Sequence, residues 1–515
     1  MSRVRDAENR SSGPIVSRWL KSDTLCYGLG VLSVALYCLI ALQQLTATAT
    51  DRWSQEVLLS AYLVRDGKHL YYYSDKVPAL TTMYGPFTYY MLLPITFLKN
   101  PSAAIHAASV LSDSIYVLPI VALLWMSRSM RKCDLALTIS VFLGVTLYYG
   151  YVSTTMGVGI GGLAVIAASS AAKNKTRRNE IAALVLPAIA FLTKQVMIPL
   201  IAVYPLLIFR AYGVRAFARA SLRMVFVSIG HLILMLLIND PKAMYFNMIW
   251  LPAHQGWYSV TCLTTGSCPP DVVALTLYQK LHTFVWVCMK LLINYDYLLL
   301  WTALITVLLW RNRTGGKTTV AQAFCLAGLL LAPTSVMNMA KLGGVEKNAI
   351  ICVYMLFMAA SASALELLSG GTTLSTRQAR SAVLVVISIP LWIVLCRFIR
   401  DPTIGDIQSV NPTNSSYDVL RKSGSVYFPW YPLSTYLTTG RVYHSPQAFN
   451  DRATVGIYAD IGYIRRGLPQ GVSLFAYHSK EEIDQDSVLR FCDVAPNRDQ
   501  LPGWTVFDCS KLLQR

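Results

Sequence analysis

The amino-acid sequence predicts an α-helical polytopic membrane protein, with about eleven transmembrane helices, interfacial helices in the first outer loop and a small C-terminal extracytoplasmic α/β domain. Three observations carry this prediction. Of the 515 residues, 54% are hydrophobic and only 14% are charged, against about 25% charged in an ordinary soluble domain. The apolar residues gather in runs of about 14–25, the length scale of a helix crossing a hydrocarbon core about 30 Å thick. The net charge of +18 sits in short Lys and Arg clusters between those runs, which is the positive-inside pattern and argues against a nucleic-acid partner.

Residues 1–23 are polar, with Arg3, Arg5, Arg10, Arg18 and Lys21 against Asp6, Glu8 and Asp23, so the N-terminus is expected in the cytoplasm. The first apolar run begins only after this segment and is long enough to span, so no cleavable signal peptide is expected. Residues 24–400 are expected to form the transmembrane domain, with a first helix near 24–47 and a first outer loop at 48–101. The apolar stretch 84–98 is too short to span and contains Pro86 and Pro94, so it is assigned to the interface. That assignment keeps Arg128, Arg131 and Lys132 inside.

Further helices are expected near 102–127, 134–152, 156–172, 180–193, 196–209, 222–238, 293–310, 318–333, 349–368 and 382–399. The clusters Lys173/Lys175/Arg177/Arg178, Arg210/Arg215/Arg219/Arg223, Arg311/Arg313/Lys317 and Arg377/Arg380 then all face the cytoplasm. Helices 180–193 and 196–209 are short, so a tilt, a break or longer boundaries are expected there.

Residues 401–515 follow an odd number of spans and shift to a charged, Gly- and Pro-containing composition, which predicts an extracytoplasmic domain. Strand-like runs at 424–428, 472–477 and 504–507 alternate with helix-like runs around 432–437 and 480–491. Among the 11 cysteines, only Cys262, Cys268, Cys492 and Cys509 fall in polar outer segments, which suggests the pairs 262/268 and 492/509.

The first outer loop concentrates the candidate chemistry. Asp51 follows the first helix closely, where partial desolvation raises a carboxylate toward general-base range. The alternative is an interfacial helix start, with Thr50 or Asp51 as N-cap and Glu56 on a solvated face. Lys194 interrupts an apolar run at an outer turn, a position for meeting a lipid phosphate or for snorkelling to headgroups. Asp51 or Glu56 is the candidate base, and Arg52, Lys76 and Lys194 are candidate phosphate contacts. Trp53, Tyr71, Tyr72, Tyr73, Tyr84, Tyr89 and Tyr90 suit sugar stacking or the headgroup belt. No metal-ligand spacing and no cofactor motif stands out. The Gly-rich 157–162 segment lacks a phosphate-loop ending and reads as helix packing. His444, His478, Asp451 and Glu481 in the tail form no recognisable catalytic spacing.

The order of these features resembles the membrane-embedded C-type glycosyltransferases, a superfamily that includes lipid A aminoarabinose transferases and protein O-mannosyltransferases. An acid after the first helix is followed by Glu56, Gly67, Leu70-Tyr71 and Tyr84-Gly85-Pro86-Phe87-Thr88-Tyr89-Tyr90. Phe191-Leu192-Thr193-Lys194-Gln195 resembles the Thr-Lys-Gly or Thr-Lys-Gln turn of bacterial members, and Gly343-Gly344-Val345-Glu346-Lys347-Asn348 a Gly-Gly-x-x-Asn turn of an uncharacterised bacterial branch. The resemblance spans roughly residues 20–400 through short motifs.

It implies inverting transfer of a sugar from a polyprenyl-phosphate donor to a glycan, lipid or protein acceptor at the outer face, with Asp51 matching the base and Glu56 the second acid. Tyr84, Lys194, Gln195, Glu346 and Asn348 then join Arg52 and Lys76 as candidate substrate-binding residues. Two positions depart from the pattern. Asp51 is followed by Arg52 where the motif often has Asp-Glu, and Gly85-Pro86 stands where the lipid A branch has a phosphate-binding Lys-Pro, leaving Lys76, Arg52 and Lys194 as substitutes. A multi-pass protein of the inner (plasma) membrane is the corresponding location. The rival expectations are a lipid or polysaccharide transporter, which would place ionisable residues near the bilayer midplane, and a non-catalytic envelope assembly protein.

Overall fold

The computed structural model describes residues 35, 52–126, 152–174, 176–260, 275–294, 319–342, 348–369, 411–422, 426–492 and 501–514. Asp51, Glu346, Cys262, Cys268 and most of the helices expected near 24–47, 134–152, 293–310 and 382–399 lie outside these residues.

The described residues are mostly helical, with one small sheet. Among the described residues, five helices are long and apolar enough to cross a membrane: Pro101–Met126, Thr154–Asn174, Gln195–Tyr212, Val214–Ile238 and Val320–Ala340. The helix Val152–Asn174 is central, packing against Pro101–Met126, Arg177–Thr193, Val203–Tyr212 and Val320–Ala340. Its glycines make that position possible. A Cβ on Gly159 would stand 2.2 Å from the Ile115 carbonyl oxygen, and one on Gly162 would stand 2.7 Å from Pro119. The 157–162 segment is thus a close-packing face, as the sequence suggests.

Several boundaries differ from expectation. The helix expected at 222–238 begins at Val214, so that Arg215, Arg219 and Arg223 lie within it, and the one expected at 318–333 runs on to Ala340. The segment expected as one helix at 196–209 begins as a 3-10 helix, Gln195–Ala202, and becomes α-helical only at Val203–Tyr212. Pro199 lies inside the 3-10 part and supplies no amide hydrogen. The helix Leu277–Asn294 and the short helices Pro241–Tyr245 and Leu251–His254 have no counterpart in the sequence reading. Lys280, His282 and Lys290 interrupt the apolar pattern of the first of these, so no continuous apolar run marks it.

The first loop folds as Arg52–Arg65, then an extended stretch, then the short helix Pro86–Met91 and the 3-10 helix Leu93–Phe97. The last two are too short to span, in keeping with the interfacial assignment of 84–98. Leu58, Tyr62, Leu63 and Tyr89 form a core with Met244 and Met248 and with Leu433 and Tyr436 from the tail.

In the tail, the sheet order is β1 (Val426–Tyr427), β2 (Leu474–Tyr477), β3 (Thr505–Asp508). β1 runs parallel to β2 and β3 antiparallel to it. These strands fall on the three runs read from the sequence, and Pro432–Thr439 and Lys480–Gln485 on the helix-like ones. Cys492 and Cys509 are joined, with Cα atoms 4.6 Å apart, as their spacing suggests.

The tail grips the loop mainly through backbone groups. The Ala79 N–H donates to His444 Nδ1 at 2.7 Å, the Ser445 N–H donates to the Ala79 carbonyl at 3.0 Å, and Tyr463 Oη donates to the Lys76 carbonyl at 2.6 Å. Arg452 donates to the Ser74 carbonyl at 3.1 Å and the Leu80 carbonyl at 3.4 Å. Gln55 Nε2 adds a buried bond to Thr413 Oγ1 at 3.1 Å. Buried carbonyls and amides of an irregular stretch need such partners.

Candidate functional site

The Arg52–Arg65 helix carries Glu56 to the tail, where the Ser445 hydroxyl donates to Glu56 Oε1. Ser445 is the N-cap residue of Pro446–Ala453, and the same short helix holds Asp451. Glu56 and Asp451 line one narrow cleft together with Val57, Thr81, Met83, Tyr84 and Tyr89. The Thr81 hydroxyl is shielded from solvent and has no hydrogen-bond partner among the described residues.

Tyr84 links this cleft to Lys194, whose Nζ stands 5.7 Å from the Tyr84 ring centroid. Lys194 is only 6% exposed. Its Nζ donates to Thr154 Oγ1 and, at 3.5 Å, to Asn348 Oδ1. Among the described residues no carboxylate forms an ion pair with it. Burial lowers Lys194 from 10.5 to about 7, so its ammonium is costly in the resting protein, and an anion bound beside it would favour the charged form.

Backbone contacts fix this junction. The Gly85 N–H donates to the Thr193 carbonyl at 3.1 Å, and Thr88 Oγ1 donates to the same oxygen at 2.9 Å. Gln195 Nε2 donates to the Met83 carbonyl and, at 2.8 Å, to the Met248 carbonyl. A Cβ on Gly85 would stand 1.9 Å from the Leu192 carbonyl oxygen. Any side chain at residue 85 therefore forces loop and bundle apart. Gly85→Ala is expected to lose about 1–3 kcal/mol of stability and to separate Tyr84 from Lys194. Thermal unfolding of the detergent-solubilised protein measures the first effect, and an unchanged midpoint would contradict the packing described.

Of the residues nominated from sequence, Glu56, Tyr84, Lys194, Gln195 and Asn348 converge on this junction. Lys76 does not: it is exposed beneath the tail and contributes its carbonyl to Tyr463. Arg52 opens the loop helix. Asp451 and Ser445 were not nominated, because nothing in the spacing of tail residues connects them to a loop acid hundreds of residues earlier. Among the described residues, no group of three or more His, Cys, Asp or Glu side chains is arranged to hold a metal ion.

In comparison with known proteins, no protein-family model matches the chain and no curated protein is significantly similar to it.

Two buried tail groups give the loop–tail contact a pH signature. Burial raises the Asp451 carboxyl from 3.8 to about 7, against the opposing effects of Gln447 and Arg452. Burial lowers His444 from 6.5 to about 4, which suits an Nδ1 that accepts from an amide. The unfolded chain ionises Asp451 above about pH 4 and the folded chain only above about 7, so this group's contribution to stability falls as pH rises through that window. The His444 contribution instead falls as pH drops from 6.5 toward 4. The groups facing Asp451 across the cleft are Glu56, Tyr84 and Tyr89, with Arg452 beside it. In Asp451→Asn the opposing Asp451 contribution is gone. Its melting temperature relative to wild type is expected to climb between about pH 4 and 7 and then level off. A difference independent of pH would show that the carboxyl is not buried as described.

Proposed function

We propose that the chain is an inverting glycosyltransferase that moves a sugar from a polyprenyl-phosphate donor to an envelope glycan, lipid or protein acceptor. In this reading about eleven helices cross the inner (plasma) membrane, with the N-terminus cytoplasmic and the tail outside, so that loop and tail meet at the outer face. The observation that carries it is that Tyr84 lies both in the cleft lined by the loop carboxylate Glu56 and beside the buried Lys194, which has no anionic partner among the described residues.

The chemistry follows from that pairing. The acceptor hydroxyl oxygen attacks the anomeric carbon, its proton passes to Glu56 or to Asp51, and the bond from anomeric carbon to phosphate breaks with its electron pair on the phosphate. Lys194 meets the growing phosphate charge in a poorly solvated position, where a fixed cation acts strongly. The resemblance puts a phosphate-binding Lys at the position of Gly85. Gly85 bonds to the residue preceding Lys194, so Lys194 keeps a cation in that neighbourhood. Arg52 and Lys76 remain further candidates for the donor, and Gln195, Asn348 and Glu346 for shaping its site.

One observation favours the transporter reading: Asp113 lies halfway along Pro101–Met126, on the same helix as the unsatisfied His106 Nε2 and Ser109 Oγ. Mass spectrometry of envelope glycans separates the two. A deletion strain is compared with strains restored by wild type, Glu56→Gln or Asp113→Asn. Loss of one sugar in the deletion and Glu56→Gln strains supports transfer. A complete glycan retained on the inner side, or full restoration by Glu56→Gln with failure of Asp113→Asn, supports transport.

A further inference from the structure

We propose that the helix Leu277–Asn294 holds an anionic phospholipid, whose phosphate sits between Lys280 and Lys341 and whose acyl chains lie along the exposed face of that helix. Nothing in this placement depends on the glycosyl-transfer reading. The helix starts at a reciprocal cap: the Gln279 N–H donates to Thr276 Oγ1 at 3.3 Å and the Thr276 N–H donates to Gln279 Oε1 at 2.9 Å. Its inner face carries Thr283 and Val287, both buried. Its outer face is apolar. Leu281, Val285, Met289 and Leu292, spaced three or four residues apart, are between 47% and 58% exposed.

In water that face would be a liability. The helix packs against Val320–Ala340, which is long and apolar enough to cross a membrane and itself exposes Leu329 and Met337. Two adjoining helices with apolar outer faces suit hydrocarbon chains. The polar end of the same helix supplies the headgroup contacts. Thr283 Oγ1 donates to the Tyr258 carbonyl at 2.9 Å, and the Tyr258 N–H donates to the Ala340 carbonyl at 2.9 Å, which draws the start of the helix toward Lys341. Lys341 Nζ donates to the Pro252 and Ala253 carbonyls at 2.6 and 3.3 Å, leaving one of its three protons for another acceptor. Burial pushes the Lys341 ammonium down, and the charge of nearby Lys280 pushes it further. Among the described residues, neither lysine forms an ion pair. Lys280 also lies in the first turn of the helix, where the backbone dipole disfavours a cation and favours an anion. Two like charges held there repel each other alone and are stabilised around a phosphate. A lipid uses both features, whereas a free phosphate uses only the cations and an apolar protein partner only the face.

The test is native mass spectrometry of the full-length, detergent-solubilised protein, titrated with phosphatidylglycerol and with phosphatidylcholine of the same acyl chains. Wild type is expected to bind the anionic lipid more tightly by roughly twentyfold, at about fivefold for each cation. Lys280→Gln is expected to lose about fivefold of that preference and Lys280→Glu nearly all of it, both with an unchanged melting curve. Lys290→Gln, roughly 15 Å further along the helix, should keep the preference, and Val285→Asn should weaken both lipids alike. Equal binding of the two lipids by wild type overturns the inference, as does a full preference in Lys280→Glu or a loss of preference in Lys290→Gln. Displacement of the lipid by an equal concentration of inorganic phosphate overturns it in favour of a simple anion site. A wild-type dimer that Val285→Asn turns monomeric overturns it in favour of a second copy of this chain on the apolar face.

Discussion

Glu56→Gln is expected to lower kcat by about two to four orders of magnitude, the usual range for removing a general base, with little change in fold. The glutamine side-chain oxygen still accepts the Ser445 hydroxyl that holds Glu56 in place, so this contact with the tail survives while the proton affinity of the carboxylate is lost. Donor KM is expected to stay within about threefold, because in this reading the phosphate is met by Lys194 and not by Glu56. Single-turnover transfer with radiolabelled donor measures the loss. Retention of most activity would move the base to Asp51, the other first-loop acid.

Lys194→Met is expected to act in opposite directions on stability and activity. The ammonium is buried, with only Thr154 and Asn348 as hydrogen-bond partners among the described residues, so an apolar side chain of similar length removes a desolvation cost larger than the two hydrogen bonds it forfeits. The melting temperature should hold or rise. Transfer should fall by about a hundredfold or more, through both donor KM and kcat, because a fixed cation at a leaving phosphate acts most strongly as charge develops. Thermal unfolding and steady-state kinetics on the same preparation check both signs. A variant that loses stability and activity together would make Lys194 a structural residue.

Among the described residues, the bundle is legible in the sequence where apolar runs are continuous, because burial in lipid or in protein imposes the same demand on side chains. It fails at Leu277–Asn294, where Lys280, His282 and Lys290 break the run and a helix forms regardless. The tail strands are legible from alternating and β-branched residues between turn formers. Half of the site is legible too: Glu56, Tyr84 and Lys194 lie in segments whose polar residues stand out against apolar neighbours. Asp451 is not, because its partner is chosen by docking of the tail onto the loop. The backbone bonds that fix that docking, such as Ala79 to His444, carry no signature in residue type. Gly85 illustrates the same limit, since its necessity comes from the approach of the Leu192 carbonyl.

The loop and the tail are made at opposite ends of synthesis. The Arg52–Arg65 helix leaves the ribosome long before Leu433 and Tyr436, which complete its core, and before Ser445, which holds Glu56. A chain halted after its last apolar run would already sit in the membrane with an acid and a cation in place, but without the groups that set the acid's orientation. The arrangement ties the setting of Glu56 to completion: the acid is held from the tail only once the final segment has closed over residues made first.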